Sequence, residues 1–137
     1  MLRPDNITQK QVIDLLNRCW MTHDGMWFFH CLQEFGIRAA NNLNKSAIQS
    51  LSSIEVQRIL KIAGFENRIR SFSELKHFFN TAAHFMIPDF MNGSFDFPEK
   101  NKMTWQFIEN ACFAFKGIKR LNAIADYECG EIGTAHV

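Results

Sequence analysis

The sequence predicts an α+β fold in one domain over residues 1–137, mostly helical, with about five or six helices and a small antiparallel β-hairpin in the C-terminal half. Three observations carry this reading. Apolar residues recur at helical spacing through most of the chain before Pro88, and just after it the pattern switches to strict alternation. A hydrophobic fraction of 47% and fourteen phenylalanines supply the apolar surface needed to offset the entropy of ordering the chain. No internal repeat or low-complexity linker divides the sequence.

Asn6 or Thr8 can cap a first helix that carries Val12, Leu15, Leu16, Cys19 and Trp20. A second periodic segment, Met21 to Phe35, places Trp27, Phe28, Cys31, Leu32 and Phe35 at apolar positions, with Gly36 as its C-cap. Gly25 either kinks one long helix or lies just inside the start of the second, with His23 or Asp24 as the cap. A third helical stretch runs from Ile37 to Leu43. Ser52 or Ser53 then precedes the run of Ile54, Val56, Ile59, Leu60 and Ile62, which Gly64 terminates. Ser71 and Glu74 form a Ser-x-x-Glu capping box. The helix it opens carries Phe72, Leu75, Phe78, Phe79, Ala82 and Phe85, and Pro88 ends it.

Beyond Pro88, Phe95 and Phe97 alternate with Ser94 and Asp96, and Met103, Trp105 and Phe107 alternate with Thr104 and Gln106. This predicts a hairpin about the Pro98-Glu-Lys-Asn-Lys turn, with one aromatic face laid against the helices. Ala111 to Leu121 reads as a further helix weakened by Gly117, and Ile124 to Tyr127 as a strand or a continuation of that helix. The chain stops at Ile132-Gly-Thr-Ala-His-Val without a closing element, so a longer parent or a partner covering this end is expected.

Charge and composition exclude several functions. Fifteen basic and fourteen acidic residues nearly cancel, so no field draws the chain to nucleic acid or an anionic membrane. No stretch approaches the ~20 apolar residues that span a bilayer, and the start lacks the apolar core of a secretory signal. A cytoplasmic location is therefore expected, with Cys19, Cys31, Cys112 and Cys129 as reduced thiols. No Cys-x-x-Cys pair, Gly-rich phosphate loop or Gly-x-Ser-x-Gly elbow is present, and no cofactor or metal is expected.

The segment from Thr22 to Gly36 carries the densest chemistry. On a helix Asp24, Trp27, Cys31 and Glu34 share one stripe, and His23, Trp27, His30 and Glu34 an overlapping one. Two carboxylates, two imidazoles, a thiol and an indole can hold a small polar ligand, with a carboxylate or imidazole as general base. The plainer alternative is that Asp24 caps the helix while Trp27 and Cys31 fill the core. His23 and His30 stand two turns apart, ~10 Å along the axis, too far to share one ion on an unbroken helix. Cys112 and Cys129 are either small apolar core groups or nucleophiles, the latter requiring a nearby cation such as His23 or His30. Lys116, Lys119 and Arg120 read as a solvated helix face.

The run Asp24-Gly25-Met-Trp27-Phe28, followed by Glu34-Phe35-Gly36 and a helix reaching Arg58-Ile59-Leu60-Lys61, resembles a prokaryotic family with an Asp-Gly-x-Trp-Phe signature. That family is similar to the L-2-amino-thiazoline-4-carboxylic acid hydrolase-like proteins. Cys112 and the later Tyr127-Glu128-Cys129-Gly130 are similar to its C-terminal, cysteine-bearing half. The resemblance implies an α+β fold and ring-opening hydrolysis of a small sulfur-containing heterocycle. By position it implicates Asp24, Trp27, Glu34, Cys112 and Cys129, in a chain that looks shorter at its C-terminus than typical members.

The leading expectation is a small-molecule-binding domain with hydrolase-like chemistry. Its pocket would lie between the Asp24–Glu34 helix and the Phe95–Phe107 hairpin, near Cys112. Asp24, Glu34, Cys112 and Cys129 are the catalytic candidates, and His23, Trp27, His30 and Trp105 the ligand-binding ones. Two alternatives stand beside it: a non-catalytic interaction module that forms a homo-oligomer through exposed apolar surface, and a thiol- or metal-based sensor.

Overall fold

A single glycine divides the longest element of this protein. The computed structural model describes residues 7–66, 68–100, 102–108 and 111–130. Helix α1 runs Gln9–Ile62, and Gly36 lies inside it at φ 80 and ψ 169, a backbone conformation essentially restricted to glycine. Gly36 therefore splits α1 into two arms, residues 9–35 and 37–62. Thr8 opens the first arm with a full capping box: its hydroxyl accepts from the Gln11 N–H at 3.3 Å, and the Gln11 side chain accepts from the Thr8 N–H at 2.8 Å. The alternative cap, Asn6, lies outside the described residues. Gly64, at φ 78, follows the Ala63 cap at the far end.

The described residues form three α-helices, not five or six. Four expected helices have merged into α1. Gly25 sits in mid-helix, and neither His23 nor Asp24 caps anything, because an interior glycine costs only about 1 kcal/mol relative to alanine and need not stop a helix. Ser52 is likewise interior, its hydroxyl donating to the Gln49 carbonyl at 3.0 Å rather than opening a new helix.

Helix α2, Phe72–Met86, begins where the capping pattern places it. The Ser71 hydroxyl accepts from the Glu74 N–H at 3.2 Å, while the Glu74 carboxylate accepts from the Arg70 N–H at 2.6 Å instead of closing the box on Ser71. Pro88 then starts a 3-10 turn, Asp89–Met91. Strands β1, Gly93–Glu99, and β2, Lys102–Phe107, pair antiparallel with Phe95 opposite Trp105 and Gly93 opposite Phe107. Their aromatic face lies on α2: Phe79 meets Phe95 at 5.7 Å and Phe72 meets Phe97 at 5.9 Å between ring centroids. Gly93 permits this closeness, since a Cβ there would sit 2.8 Å from both Ile87 and Phe107.

Helix α3, Phe113–Arg120, is shorter at both ends than the expected Ala111–Leu121. The Ile124–Asp126 segment is a 3-10 turn, neither strand nor helical continuation. The described residues are 70% helical, with one two-stranded sheet in the C-terminal half, which is an α+β arrangement. Among them, no helix is long and apolar enough to cross a membrane.

Side-chain anchors hold these pieces on α1. Asn17 donates its amide to the Phe85 carbonyl at 3.2 Å, and the Arg18 guanidinium lies 4.0 Å over the Phe90 ring. Phe90 in turn meets Phe113 at 6.4 Å. The buried apolar side chains Ala40, Leu60, Phe78, Met91, Ala111 and Ile118 are spread over α1, α2, α3 and the loops between them.

Candidate functional site

Three of the eight expected site residues, Asp24, Cys112 and Cys129, act electrostatically on Tyr127. The segment carrying it is strapped to the second arm of α1 by Asn41, whose residue is only 4% exposed. The Asn41 amide donates to the Asp126 carbonyl at 2.8 Å and its oxygen accepts from the Glu128 N–H at 3.3 Å. Lys45 pairs with the Glu128 carboxylate. Gly130 approaches Ile48 so closely that a Cβ would displace that side chain. With residues on both sides fixed to Asn41, the Tyr127 ring is directed at the first arm, where Phe28 receives it edge-on at 5.5 Å with planes at 83°. The Tyr127–Gly130 segment thus bridges the two arms of α1 across Gly36.

Asp24 lies one helical turn before Phe28, on the same face of α1. Gly25 beside it leaves room for the Phe113 ring, whose edge would lie 4.0 Å from a Cβ at that position. Cys112 occupies the N-cap position of α3, with no cap hydrogen bond from its side chain. Cys129 follows Tyr127 by two residues.

The electrostatics tie these groups together. Burial is the main reason the Tyr127 phenol resists ionisation; the electrostatic influence of Cys129, Cys112 and Asp24 acts in the same direction, in that order, and a side-chain hydrogen bond with Cys129 adds to it. Asp24 is exposed when the whole residue is counted, yet its carboxyl group is pushed above the usual carboxylate range. Loss of water on its protein-facing side is the larger cause, and the His23 charge opposes it.

Other candidates from the sequence lie elsewhere. The Trp27 indole N–H donates to His23 Nε2 at 3.2 Å, and both residues are exposed. His30 is exposed with its ring 5.3 Å from Phe29, and Glu34 is exposed. His23, Met26, Trp27 and His30 border an open concavity of about 320 Å³ that includes neither Asp24 nor a cysteine. Trp105 has Phe95 and Phe107 as ring partners within the hairpin, each at 5.3 Å. The hairpin's aromatic face is turned to α2, so the elements facing Asp24 are α3 and the Tyr127 segment.

Sequence reasoning missed Phe28, Asn41 and the central part of Tyr127. Tyr127 is the single tyrosine of the chain, and Phe28 stands four residues beyond Asp24, so both were readable as a stripe and a rarity. Asn41 carried no such signal. Among the described residues, no three His, Cys, Asp or Glu side chains come together as a metal site, and the four cysteines are free thiols.

Chemically, a carboxyl group with a raised pKa beside a neutral phenol and two thiols can exchange a proton with a bound molecule and hydrogen-bond its polar atoms. No protein of curated function and no solved structure matches the chain. The family of unknown function (DUF6125) matches residues 5–136, and the chain belongs to that family.

Proposed function

We propose that this protein binds a small polar molecule at the Asp24, Cys112, Tyr127 and Cys129 cluster and hydrolyses a heterocyclic or amide-like bond in it. The observation that carries the reading is the half-buried Tyr127 ring packed edge-on against Phe28, one helical turn from Asp24, with Cys129 two residues away and hydrogen-bonded to the phenol. Perturbed ionisable groups gathered at one place are a general mark of chemistry.

In this mechanism Asp24, whose carboxyl is poised by dehydration to accept a proton, deprotonates a water molecule. The water oxygen bonds to the electrophilic carbon of the substrate. The carbon–nitrogen or carbon–sulfur bond opens, and the leaving atom takes its proton from Tyr127, which is held neutral by its surroundings. Asp24 then returns its proton to the tyrosine through solvent. Cys112 and Cys129 contact the substrate, with a thiolate as the competing nucleophile. The heterocyclic substrate class is the one implied by the motif resemblance read from the sequence, and a reducing compartment such as the cytoplasm would keep both thiols available.

Thermal-shift titration with small heterocyclic carboxylic acids, followed by hydrolysis assays on any binder, tests the proposal. Asp24→Asn should retain part of the binding shift and lose turnover, while Cys129→Ala and Tyr127→Phe should weaken the shift. Ligand responses identical in wild type and all three variants would remove this site.

A sensor built on the same two thiols is the second reading, favoured by Cys112 and Cys129 being free, partly exposed thiols. Mild oxidation followed by mass mapping separates them: a Cys112–Cys129 disulfide formed reversibly supports the sensor, and two unpaired thiols support the hydrolase.

A further inference from the structure

The open concavity on the first arm of α1 gathers side chains that the proposed hydrolysis does not use. His23, Met26, Trp27 and His30 border it, and Asp24 does not. The helix is unbroken through this stretch, so residues three and four apart stand side by side, with about 5–6 Å between their Cβ atoms. Met26 comes three residues after His23 and four before His30. Its thioether therefore neighbours both imidazoles, which are themselves ~10 Å apart along the axis.

Hydrogen bonding distinguishes the two histidines. The Trp27 indole N–H donates to His23 Nε2 at 3.2 Å, which occupies that lone pair and leaves the ring proton on Nδ1. His23 thus has no nitrogen to offer unless it releases the indole. His30 and Met26 are both exposed, and neither has a hydrogen-bond or ion-pair partner among the described residues. The exposed walls of the hollow are apolar, so His30 must turn its ring to present a nitrogen there. An exposed imidazole without a hydrogen-bond partner turns readily, because its second side-chain torsion is broad.

The donor types select the ligand. A thioether is a soft donor, suited to monovalent copper, and imidazole binds copper as well. Zinc takes a tetrahedral set of harder donors, and among the described residues no three His, Cys, Asp or Glu side chains come together to supply one. A soft monovalent ion accepts fewer ligands. Trp27, also exposed, brings an indole whose π face attracts cations.

We infer that this concavity binds a soft monovalent cation of the Cu(I) and Ag(I) class, held between the Met26 sulfur and an imidazole nitrogen of His30. Trp27 covers the ion, and His23 is a positioning residue that fixes the indole. With few donors and an open mouth, the site differs from a closed structural metal centre and suits an ion that is taken up and handed on. It shares no residue with the Asp24 and Tyr127 cluster, so the two sites can fail separately.

The four free thiols also take up silver, so the readout must report on Met26 itself. Silver(I), added past saturation of the thiols to the full chain isotope-labelled at its methionine methyls, should shift the Met26 nuclear magnetic resonance signal. That signal is identified by its absence in Met26→Leu, and the His30 ring signals should move with it. His30→Gln should weaken the Met26 response at least about tenfold, while His23→Gln should weaken it less and Asp24→Asn should leave it unchanged. Zinc(II) at the same concentration should not move Met26. The wild-type titration depends on no variant folding, and the substituted positions are exposed, so circular dichroism should stay helical. A Met26 signal unmoved by silver, an equal response in wild type and His30→Gln, a loss in His23→Gln as large as in His30→Gln, or a zinc response matching that of silver would each overturn the inference.

Discussion

Phe28 and Tyr127 meet edge to face at 5.5 Å, joining the first arm of α1 to a segment near the other end of the chain. The contact does two things at once: it holds the two regions together, and it removes water from the tyrosine hydroxyl's surroundings. The phenol is consequently harder to ionise than a free tyrosine, burial being the first cause, with the influence of Cys129, Cys112 and Asp24 and a hydrogen bond to Cys129 adding to it.

A pH dependence follows. Because the folded-state value is raised, the stabilising contribution is complete below the ordinary tyrosine range of about 10 and is lost as pH climbs from there toward the folded value. The unfolded chain ionises first and pulls the equilibrium toward itself. As the only tyrosine, Tyr127 can be followed by phenolate absorbance, which should appear at higher pH in native than in denatured protein. Tyr127→Phe should lose less stability than wild type between about pH 9 and about pH 11. Coincident native and denatured titrations would contradict the buried setting described here. Replacing the ring altogether, as Tyr127→Ala, should cost about 2 kcal/mol through lost packing.

Gly36 is the second place where a single residue decides the architecture. Its φ of 80 and ψ of 169 are strained for any side chain, although nothing lies within 4 Å of the place a Cβ would occupy. The cost of Gly36→Ala is therefore conformational rather than steric, about 1–3 kcal/mol. Chemical denaturation should show that loss, together with weaker protection of the Asp126–Gly130 segment, which needs both arms in place. An unchanged midpoint would mean that the arms join without this geometry.

How much of this was visible in the sequence depends on how local each cause is. Thr8 with Gln11, Ser71 with Glu74, Pro88, and the alternation through Phe95 and Trp105 all act within a few residues, and their elements appear where expected. Gly25 and Ser52 carry the same vocabulary of breaks and caps, yet α1 passes through both, because a helix held by packing on one face tolerates them. Asp24, Cys112 and Cys129 were readable as candidates from residue type alone. That they share Tyr127 was not, since the sharing depends on Asn41 and Phe28, contacts formed across 85 and nearly 100 positions of chain. Trp27 and Asp24 were read as one stripe, and the packing then divided it: Asp24 faces Tyr127, while Trp27 is left on the solvent side with His23.

Asn41 should prove more important to the site than its chemistry suggests. It is the buried polar side chain that satisfies both the Asp126 carbonyl and the Glu128 N–H. Truncation leaves two backbone groups without their partner, at a cost of about 1–3 kcal/mol. Asn41→Asp keeps an acceptor for Glu128 but presents an oxygen to the Asp126 carbonyl, so it should be no better than Asn41→Ala. Near-ultraviolet circular dichroism of the tyrosine band would report the release of Tyr127 in both variants. A stable variant with an unaltered tyrosine band would show that the strap is dispensable.

Asp24 separates stability from chemistry most cleanly. Its raised carboxyl pKa, caused first by dehydration and moderated by His23, means the charged form is the one the fold disfavours. The associated stability is present below the ordinary carboxylate value of about 3.9 and is lost as pH rises through the higher folded value. A side-chain amide in its place cannot ionise, so Asp24→Asn should gain stability relative to wild type on going from about pH 3 to about pH 7. The same substitution removes the group proposed to accept a proton from water, so any hydrolysis should fall by at least about a hundredfold. Measuring both properties on one variant keeps them distinct: a stability difference that moves the other way with pH removes the dehydrated setting of the carboxyl, and undiminished turnover removes its role as base while leaving the structure intact.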